Sequence, residues 1–189
     1  NKIEFLAMLT KLRQICIVPR LLYEDISSSS SKINACIELI KKSIENKQRI
    51  LLFSSFTTVL DLVAQECDNL SIPYFMLTGE TNKVKRNQLV EDFQNEAVPL
   101  FSLKAGGTGL NLTKASVVIH LDPWWNISAQ NQATDRAHRI GQEDTVQVFN
   151  LITKNTIEEK IQNLQNKKKE LSDIFVENSK GSFFSLTKE

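Results

Sequence analysis

The sequence predicts an α/β fold of three layers, in which a central, mostly parallel sheet carries helices on both faces and one further helix flanks it at each end of the chain. Helical and strand patterns alternate along most of the chain. The strand segments are apolar throughout, which is typical of strands buried on both faces. Hydrophobic residues make up 41% and charged residues 24% of the 189 residues, so we expect one globular domain with a well-buried core.

The first predicted element is an amphipathic helix over residues 3–15. Its apolar residues recur at helical spacing, with Lys11 and Arg13 off that face, and Pro19 ends the pattern. The apolar residues are Ile3, Leu6, Leu9, Leu12 and Ile15. A run of five serines at 27–31 indicates a flexible linker that ends in a helix N-cap. Residues 1–31 are therefore expected to form a helix and linker that precede the main domain.

Residues 32–155 are predicted to form that domain, and 156–189 a final helix and tail. The predicted helices lie near 32–47, 57–69, 82–95 and 127–139, and the predicted strands at 50–53, 74–77, 100–103, 117–121 and 146–151. The last helix, near 156–176, begins with a capping-box sequence, Thr156 to Glu159. Its apolar stripe consists of Ile157, Ile161, Leu164, Leu171 and Ile174.

Composition and net charge limit the classes of function that the chain can have. A net charge of +1 argues against a globally basic DNA-coating protein, although a local basic stripe can still bind nucleic acid. Cys16, Cys36 and Cys67 are widely spaced within apolar patterns and are predicted to be reduced core thiols of an intracellular protein, with no disulfide framework and no metal site. That location would be the cytoplasm or nucleoid in a bacterium and the nucleus in a eukaryote. We see no apolar run long enough to span a bilayer and no signal pattern, and the first residue is not Met, so we expect a piece of a longer intracellular protein.

The segment 132–142 carries two arginines, Arg136 and Arg139, just before a glycine. Three-residue spacing on a helix directs both guanidinium groups to one face, and their planar donor forks suit the oxygens of a phosphoryl group. The alternative for an isolated pair of this kind is a solvated helix end. His138 is interpreted as a packed or capping residue, and His120 as structural.

A glycine-rich turn at 105–111 follows the third predicted strand. Glycines allow backbone amides to approach a phosphate or ribose, and Thr108 and Asn111 add short polar side chains. A plain strand-to-helix corner is the alternative. The turn lacks the Gly-Lys-Ser/Thr of a Walker A loop, and Leu112 breaks the Rossmann glycine pattern.

Polar residues stand at the ends of three predicted strands, and parallel strands bind ligands beyond their carboxyl ends. These residues are Ser54, Ser55, Thr78, Gly79, Ser102 and Lys104. Their hydroxyls, amides and ammonium suit DNA phosphates, which position a duplex without reading its sequence; each hydroxyl taken singly could equally be a helix N-cap. Trp124 and Trp125 could stack on bases but are more often packing residues at such a corner. Lys167 to Lys169 are predicted to be a solvated helix face.

Five segments, taken in order, resemble the C-terminal lobe of Swi/Snf-type ATPases, a branch of helicase superfamily two. They are residues 50–56 (motif IV), 77–80, 102–111 (motif V), 122–126 and 132–142 (motif VI). The resemblance implies a RecA-like fold, with Arg136 and Arg139 as catalytic arginine fingers. It also implies a nucleotide edge formed by Gly107, Gly109, Asn111, Gln132 and Asp135.

No phosphate cradle, catalytic lysine or magnesium carboxylate is recognisable in the chain, although phosphoryl transfer needs all three. The resemblance implies that an N-terminal RecA-like lobe of the same polypeptide supplies them. ATP with Mg²⁺ would then be the cofactor and double-stranded DNA the partner of an ATP-dependent translocase. Two alternatives stay open: a non-catalytic DNA- or protein-binding module, and a small self-sufficient nucleotide-dependent enzyme with a degenerate cradle at 105–111.

The sequence departs from this family at Ile127, where relatives often have proline, so we expect a less sharply defined helix start there. Residues 156–176 resemble the brace helix that packs on the N-terminal lobe in the family. The apolar stripe of that helix is therefore expected to be partly exposed.

Overall fold

The computed structural model describes residues 2–19, 30–95, 97–104, 110–138 and 145–185, with side chains up to residue 171. Six helices and five strands follow one another in the described residues. In chain order they are α1 (Lys2–Ile17), α2 (Ser31–Glu45), β1 (Ile50–Ser54), α3 (Thr57–Asn69), β2 (Tyr74–Leu77), α4 (Lys83–Asn95), β3 (Leu100–Lys104), β4 (Val117–His120), α5 (Ile127–Thr134), β5 (Gln147–Asn150) and α6 (Ile157–Ser185). Among these elements, no helix is both long and apolar enough to cross a membrane.

The five strands form one sheet in the order β2-β3-β1-β4-β5, and every pairing is parallel. β1 lies in the centre, with Leu52 opposite Ser102 of β3 and Ile119 of β4. Parallel neighbours need crossover connections, and the intervening helices supply them. The predicted α/β class with a parallel sheet is confirmed.

Successive residues of the strands point to opposite faces and build two cores. On one face, Ile50 and Leu52 of β1 pack with helices α2 and α3. On the other face, Leu51 and Phe53 pack with α4, α5 and the segments around Leu112. Helices on both faces give the predicted three layers. Cys36 and Cys67 are buried free thiols of the first core, as predicted, while Cys16 is half-buried.

The edge strand β5 departs from the prediction that the strands are buried on both faces. Gln147, Val148 and Asn150 are exposed, and only Phe149 is partly buried against the first core. β5 ends the strand order, so a single neighbouring strand covers its backbone. The prediction made from the apolar character of this segment therefore overestimated the burial of β5.

The predicted apolar seam of α1 is not its packed face. Ile3 and Leu6 are 76% and 54% exposed and Leu12 is exposed as well, whereas Arg13 and Ile17 are buried. Residues four apart share a helix face, so the packed face is rotated from the predicted one and carries an arginine. Arg13 is buried on that face because it pairs with a carboxylate of the lobe, that of Asp122.

Specific capping contacts mark the starts of α2 and of α6. Ser30 caps α2 by accepting from Ile33 N–H at 3.2 Å, as the serine run predicted. Thr156 Oγ accepts from Glu158 N–H at 3.2 Å, and the Glu159 carboxylate accepts from Asn155 N–H at 2.8 Å. The Glu159 carboxylate thus bonds the residue before the N-cap instead of the N-cap itself, so the cap differs by one residue from the predicted capping box. The Glu158 carboxylate forms a buried ion pair with Lys32 of α2. The α6 stripe is partly exposed, with Leu164 and Leu171 at the surface and Ile161 buried.

Candidate nucleotide and nucleic-acid site

Strands β1, β3 and β4 end side by side at the carboxyl edge of the sheet. Asp122 follows β4 and is fully buried. Its Oδ1 accepts from Ser54 Oγ at 2.7 Å and from Ser55 N–H at 3.0 Å. The carboxylate thus ties motif IV to the 122–126 segment across the centre of the edge.

Arg13 of α1 completes this network from 109 residues away. Its Nη2 donates to Asp122 Oδ2, Ser55 Oγ and the Pro123 carbonyl, each at 3.0 Å. The side chains of the ion pair are 8% and 0% exposed. A buried charge is costly unless it is paired and hydrogen-bonded, and here the Asp122 carboxylate has both kinds of partner.

A cluster of rings lies beneath the edge. The ring of Phe53 stacks on His120 at 5.3 Å, and Trp124 meets both rings edge-on at 6.0 and 5.8 Å. Burial lowers the pKa of His120 to about 4, and its Nε2 lies 2.9 Å from Thr134 Oγ in α5. His120 is therefore structural, as predicted, and Trp124 is a packing residue.

Arg136 lies against the same cluster. It is buried, and its guanidinium carbon is 5.6 Å from the centre of the Phe53 ring. The predicted helix over 127–139 is too long, because α5 ends at Thr134 and residues 135–137 form a turn. Arg136 therefore lies in a turn and not on a helix, and Arg139 lies outside the described residues.

The early end of α5 has a tertiary cause. The Arg136 and Ala137 N–H groups bond three residues back, to Ala133 and Thr134, as in a tightened last turn. The carbonyl of Arg136 accepts from Leu112 N–H at 3.1 Å. This bond directly joins the segment after motif V to the turn of motif VI.

The predicted nucleotide residues are placed in part. Asn111, Gln132 and Asp135 are exposed on this edge or on α5, while Gly107 and Gly109 lie outside the described residues. His138 is exposed, so it is not packed in the core. Gly141 and Gln142 also lie outside the described part.

The predicted DNA residues divide by burial. Ser54 and Ser102 are buried, and Ser102 lies in the middle of β3 instead of at its end, because that strand continues to Lys104. Neither hydroxyl is at the surface, which corrects the prediction that both face a ligand. The remaining four are accessible: Ser55 and Thr78 are partly exposed, and Gly79 and Lys104 exposed.

Trp125 is 46% exposed and borders an open cleft of about 610 Å³ between the start of α5 and α6. The cleft is also lined by Asn126, Lys168 and Lys169. The lysines are exposed, which confirms the predicted solvated face. The ring of Trp125 also lies 5.6 Å from the guanidinium carbon of Arg13.

Arg13 and Asp122 are the residues of this edge that sequence reasoning missed. Arg13 was placed off the apolar face of its helix, where a charged residue is usually solvated. One signal was available in the sequence. Arg13 lies one helical turn before Ile17, an apolar residue at the end of α1, so the two residues share a helix face. Asp122, directly after an apolar strand, was a second signal.

The sequence and the fold of the chain are matched in known proteins. Residues 31–141 match the helicase conserved C-terminal domain family, which is more than half of the chain. The C-terminal domain of a Sulfolobus solfataricus SWI2/SNF2 ATPase is 33% identical, with a TM-score of 0.71 over 87% of this chain and 69% of that one. The SWI2/SNF2 ATPase core from that organism, in complex with double-stranded DNA, is 36% identical with a TM-score of 0.75, over 88% of this chain and 36% of that one.

The chain belongs to the helicase conserved C-terminal domain family, as the C-terminal RecA-like lobe of a Swi/Snf-type ATPase of superfamily two. An uncharacterized ATP-dependent helicase of Mycoplasma pneumoniae is 43% identical over the whole of this chain. The chain spans only about a fifth of the length of such curated relatives, covering 18% and 19% of two of them.

Proposed function

We propose that this lobe works in an ATP-dependent double-stranded DNA translocase, closing on ATP that an N-terminal RecA-like lobe of the same polypeptide binds. The observation that carries the proposal is the hydrogen bond from Leu112 N–H to the Arg136 carbonyl. It joins the segment that follows motif V to the turn at 135–137 that carries Arg136, called here the arginine turn. In the proposal, these two segments face the ligand at the carboxyl ends of the parallel strands, where open sheets of this kind bind ligands. The family's ATP-dependent helicases and the DNA-bound relative support the same function.

In this proposal Arg136 and Arg139 stabilise the charge of the transferring phosphoryl group. Asn111, Gln132 and Asp135 contact the nucleotide or the facing lobe, together with Gly107 and Gly109. Arg136 lies against Phe53 in this structure, so reaching a phosphate requires its guanidinium to leave that ring when the lobes close.

We assign the Mg²⁺ ligands to the N-terminal lobe, as the resemblance to Swi/Snf-type ATPases implies. Among the described residues, no group of three or more His, Cys, Asp or Glu side chains could hold a metal ion. This lobe by itself is expected to hydrolyse ATP negligibly.

The proposed DNA surface consists of Ser55, Thr78, Gly79 and Lys104. Three of these contribute neutral donors and Lys104 a charge, as phosphate positioning requires. Motion of this surface relative to the N-terminal lobe would move the duplex. Duplex translocation of this kind does not require strand separation.

The test is ATP turnover with and without duplex DNA, with this chain mixed with the N-terminal lobe of its polypeptide. Arg136→Ala is expected to lower DNA-stimulated turnover by about 10³-fold or more, the range measured for arginine fingers. The matched control is His138→Ala, an exposed neighbour in the same turn, which should stay within about twofold. Turnover by this chain alone contradicts the two-lobe proposal, and a folded mixture without turnover favours the non-catalytic binding module.

A further inference from the structure

We infer that Arg13 is a positioning residue for the proposed DNA surface, acting from the N-terminal helix through Asp122, Ser55 and Trp125. The inference rests on the proposed function, because it concerns the DNA surface named there. Three observations support the inference. The guanidinium is buried, it donates hydrogen bonds to residues of the sheet edge, and its neighbours Ser55 and Trp125 remain accessible.

The guanidinium of Arg13 is enclosed by two aromatic rings and by the carboxylate with which it forms an ion pair. Phe56 and Trp125 lie at 5.1 and 5.6 Å from its central carbon, and Asp122 pairs with it at 3.0 Å. Arg13 is 7% exposed. A side chain buried in this way cannot itself contact a duplex, so any effect on DNA must pass through its neighbours.

Two of those neighbours belong to the accessible edge. Arg13 donates to Ser55 Oγ at 3.0 Å, which occupies a lone pair of the hydroxyl oxygen and leaves the hydroxyl hydrogen to donate outward. The Ser55 N–H is fixed by Asp122 at 3.0 Å. Both ends of this serine are therefore oriented by the ion pair, as a group meant to meet a phosphate oxygen must be.

The second neighbour is Trp125, which is 46% exposed although it stacks near the cation. The Pro123 carbonyl, two residues earlier, accepts from Arg13 at 3.0 Å. Arg13 thus contacts the segment 123–125 at two places, the Pro123 carbonyl and the exposed ring of Trp125. Loss of the arginine would loosen the serine and the tryptophan together.

The same contacts connect α1 to the edge. The N-terminal half of α1 is exposed, with Ile3 at 76%, and Arg13 is its deepest polar contact with the lobe.

The test uses the complete two-lobe polypeptide and measures ATP turnover as a function of duplex DNA concentration. Replacing Arg13 alone by an apolar residue would leave Asp122 as an unpaired buried charge, so the main variant combines Arg13→Met with Asp122→Asn. We expect the DNA concentration for half-maximal stimulation to rise at least tenfold, with kcat at saturating DNA lowered by no more than twofold. Lys11→Met, an exposed change on the same helix, is the control and should match the wild type.

The salt dependence separates positioning from direct contact. Because Arg13 releases no counterions from DNA itself, the slope of log affinity against log salt should be the same in the double variant and the wild type. A slope shallower by about 0.9 would show a direct phosphate contact and overturn the inference. A loss of kcat in proportion to the folded fraction, measured by circular dichroism, would show a merely structural role.

Arg13→Lys and Ser55→Ala keep the test decisive if the double variant does not fold. The lysine retains a cation beside Asp122 but no planar group between the rings, so a three- to fivefold rise in the DNA constant is expected. Ser55→Ala should raise it by a similar factor. Unchanged constants in both variants overturn the inference while the proposed function stands, whereas a wild-type enzyme without DNA stimulation overturns both.

Discussion

His120 illustrates how burial alone sets the chemistry of a single residue in this lobe. The ring is 1% exposed and packed between Phe53 and Trp124. Removal from water disfavours the imidazolium, which lowers the pKa from 6.5 to about 4. His120 is therefore neutral at physiological pH, and its contact with Thr134 at 2.9 Å joins β4 to α5 beneath the arginine turn.

The depressed pKa predicts that the lobe loses stability in mild acid. Between the unfolded pKa of 6.5 and the folded value of about 4, the unfolded chain binds a proton that the native chain does not. The contribution is fully present above pH 6.5 and is lost as the pH falls toward 4, for a total of about 3 kcal/mol. Urea unfolding of the chain at pH values from 7.5 to 4 measures it.

The second histidine provides the control for this prediction. His138 is exposed, so His138→Gln should leave the pH dependence unchanged. His120→Gln should flatten it between pH 6.5 and 4, at the cost of some stability at neutral pH. Equal pH dependence in the wild type and His120→Gln would contradict the assignment to this ring.

At the scale of elements, the start of α5 is set by the side chain of Asn126. Asn126 accepts from Ser128 N–H at 3.0 Å and from Ala129 N–H at 3.3 Å. An asparagine N-cap of this kind stabilises a helix by about 1 kcal/mol. The expectation of a loosely defined helix start at Ile127 was therefore wrong.

The cap predicts opposite effects for proline at two adjacent positions. Ile127 is the first helical residue, where proline is well tolerated and reduces the freedom of the unfolded chain. Ile127→Pro should therefore raise the free energy of unfolding by about 0.4 to 1 kcal/mol. Ser128→Pro removes an N–H that the cap accepts and should lower it. Thermal melts of both variants test the cap, and a destabilising Ile127→Pro would contradict it.

The elements show which parts of the structure the sequence predicts and why others escape it. β1, β2 and β3 were located within one residue, because each is a short apolar run bounded by turn residues. The end of α5 was not, because the bond from Leu112 to the Arg136 carbonyl is a tertiary contact with no local signal. The packed face of α1 was missed for the same reason, since Asp122, the partner of Arg13, is 109 residues away.

The site follows the same division between local and distant determinants. Gln132 and Asp135 are exposed, and their role in the site stays a prediction. Ser54 was selected because it follows an apolar run, yet its hydroxyl donates at 2.7 Å to the buried Asp122. Strand-end position can be predicted from sequence, but whether a hydroxyl faces water or a buried carboxylate depends on a partner from another strand.

At the scale of the whole molecule, the proposed DNA surface is carried by a nearly neutral lobe. The net charge is +1, so the proposal does not invoke a general positive field around this lobe. In the proposal, attraction to DNA comes from individual cations at the edge, with neutral hydroxyls and amides around them. Lys104, exposed at the end of β3, is the cation of the proposed surface.

We therefore expect Lys104 to contribute a measurable share of the salt dependence of DNA binding. In the two-lobe polypeptide, Lys104→Ala should make the slope of log affinity against log salt shallower by about 0.9, the value for one phosphate contact on duplex DNA. The loss of affinity should be similar for unrelated duplex sequences, because phosphate contacts carry no sequence information. Lys114 is the matched control, since it is exposed but precedes β4, at the opposite edge of the sheet. Binding titrations from 50 to about 200 mM salt separate the two variants. Equal slopes for Lys104→Ala and Lys114→Ala would show that Lys104 does not contact a phosphate of the duplex.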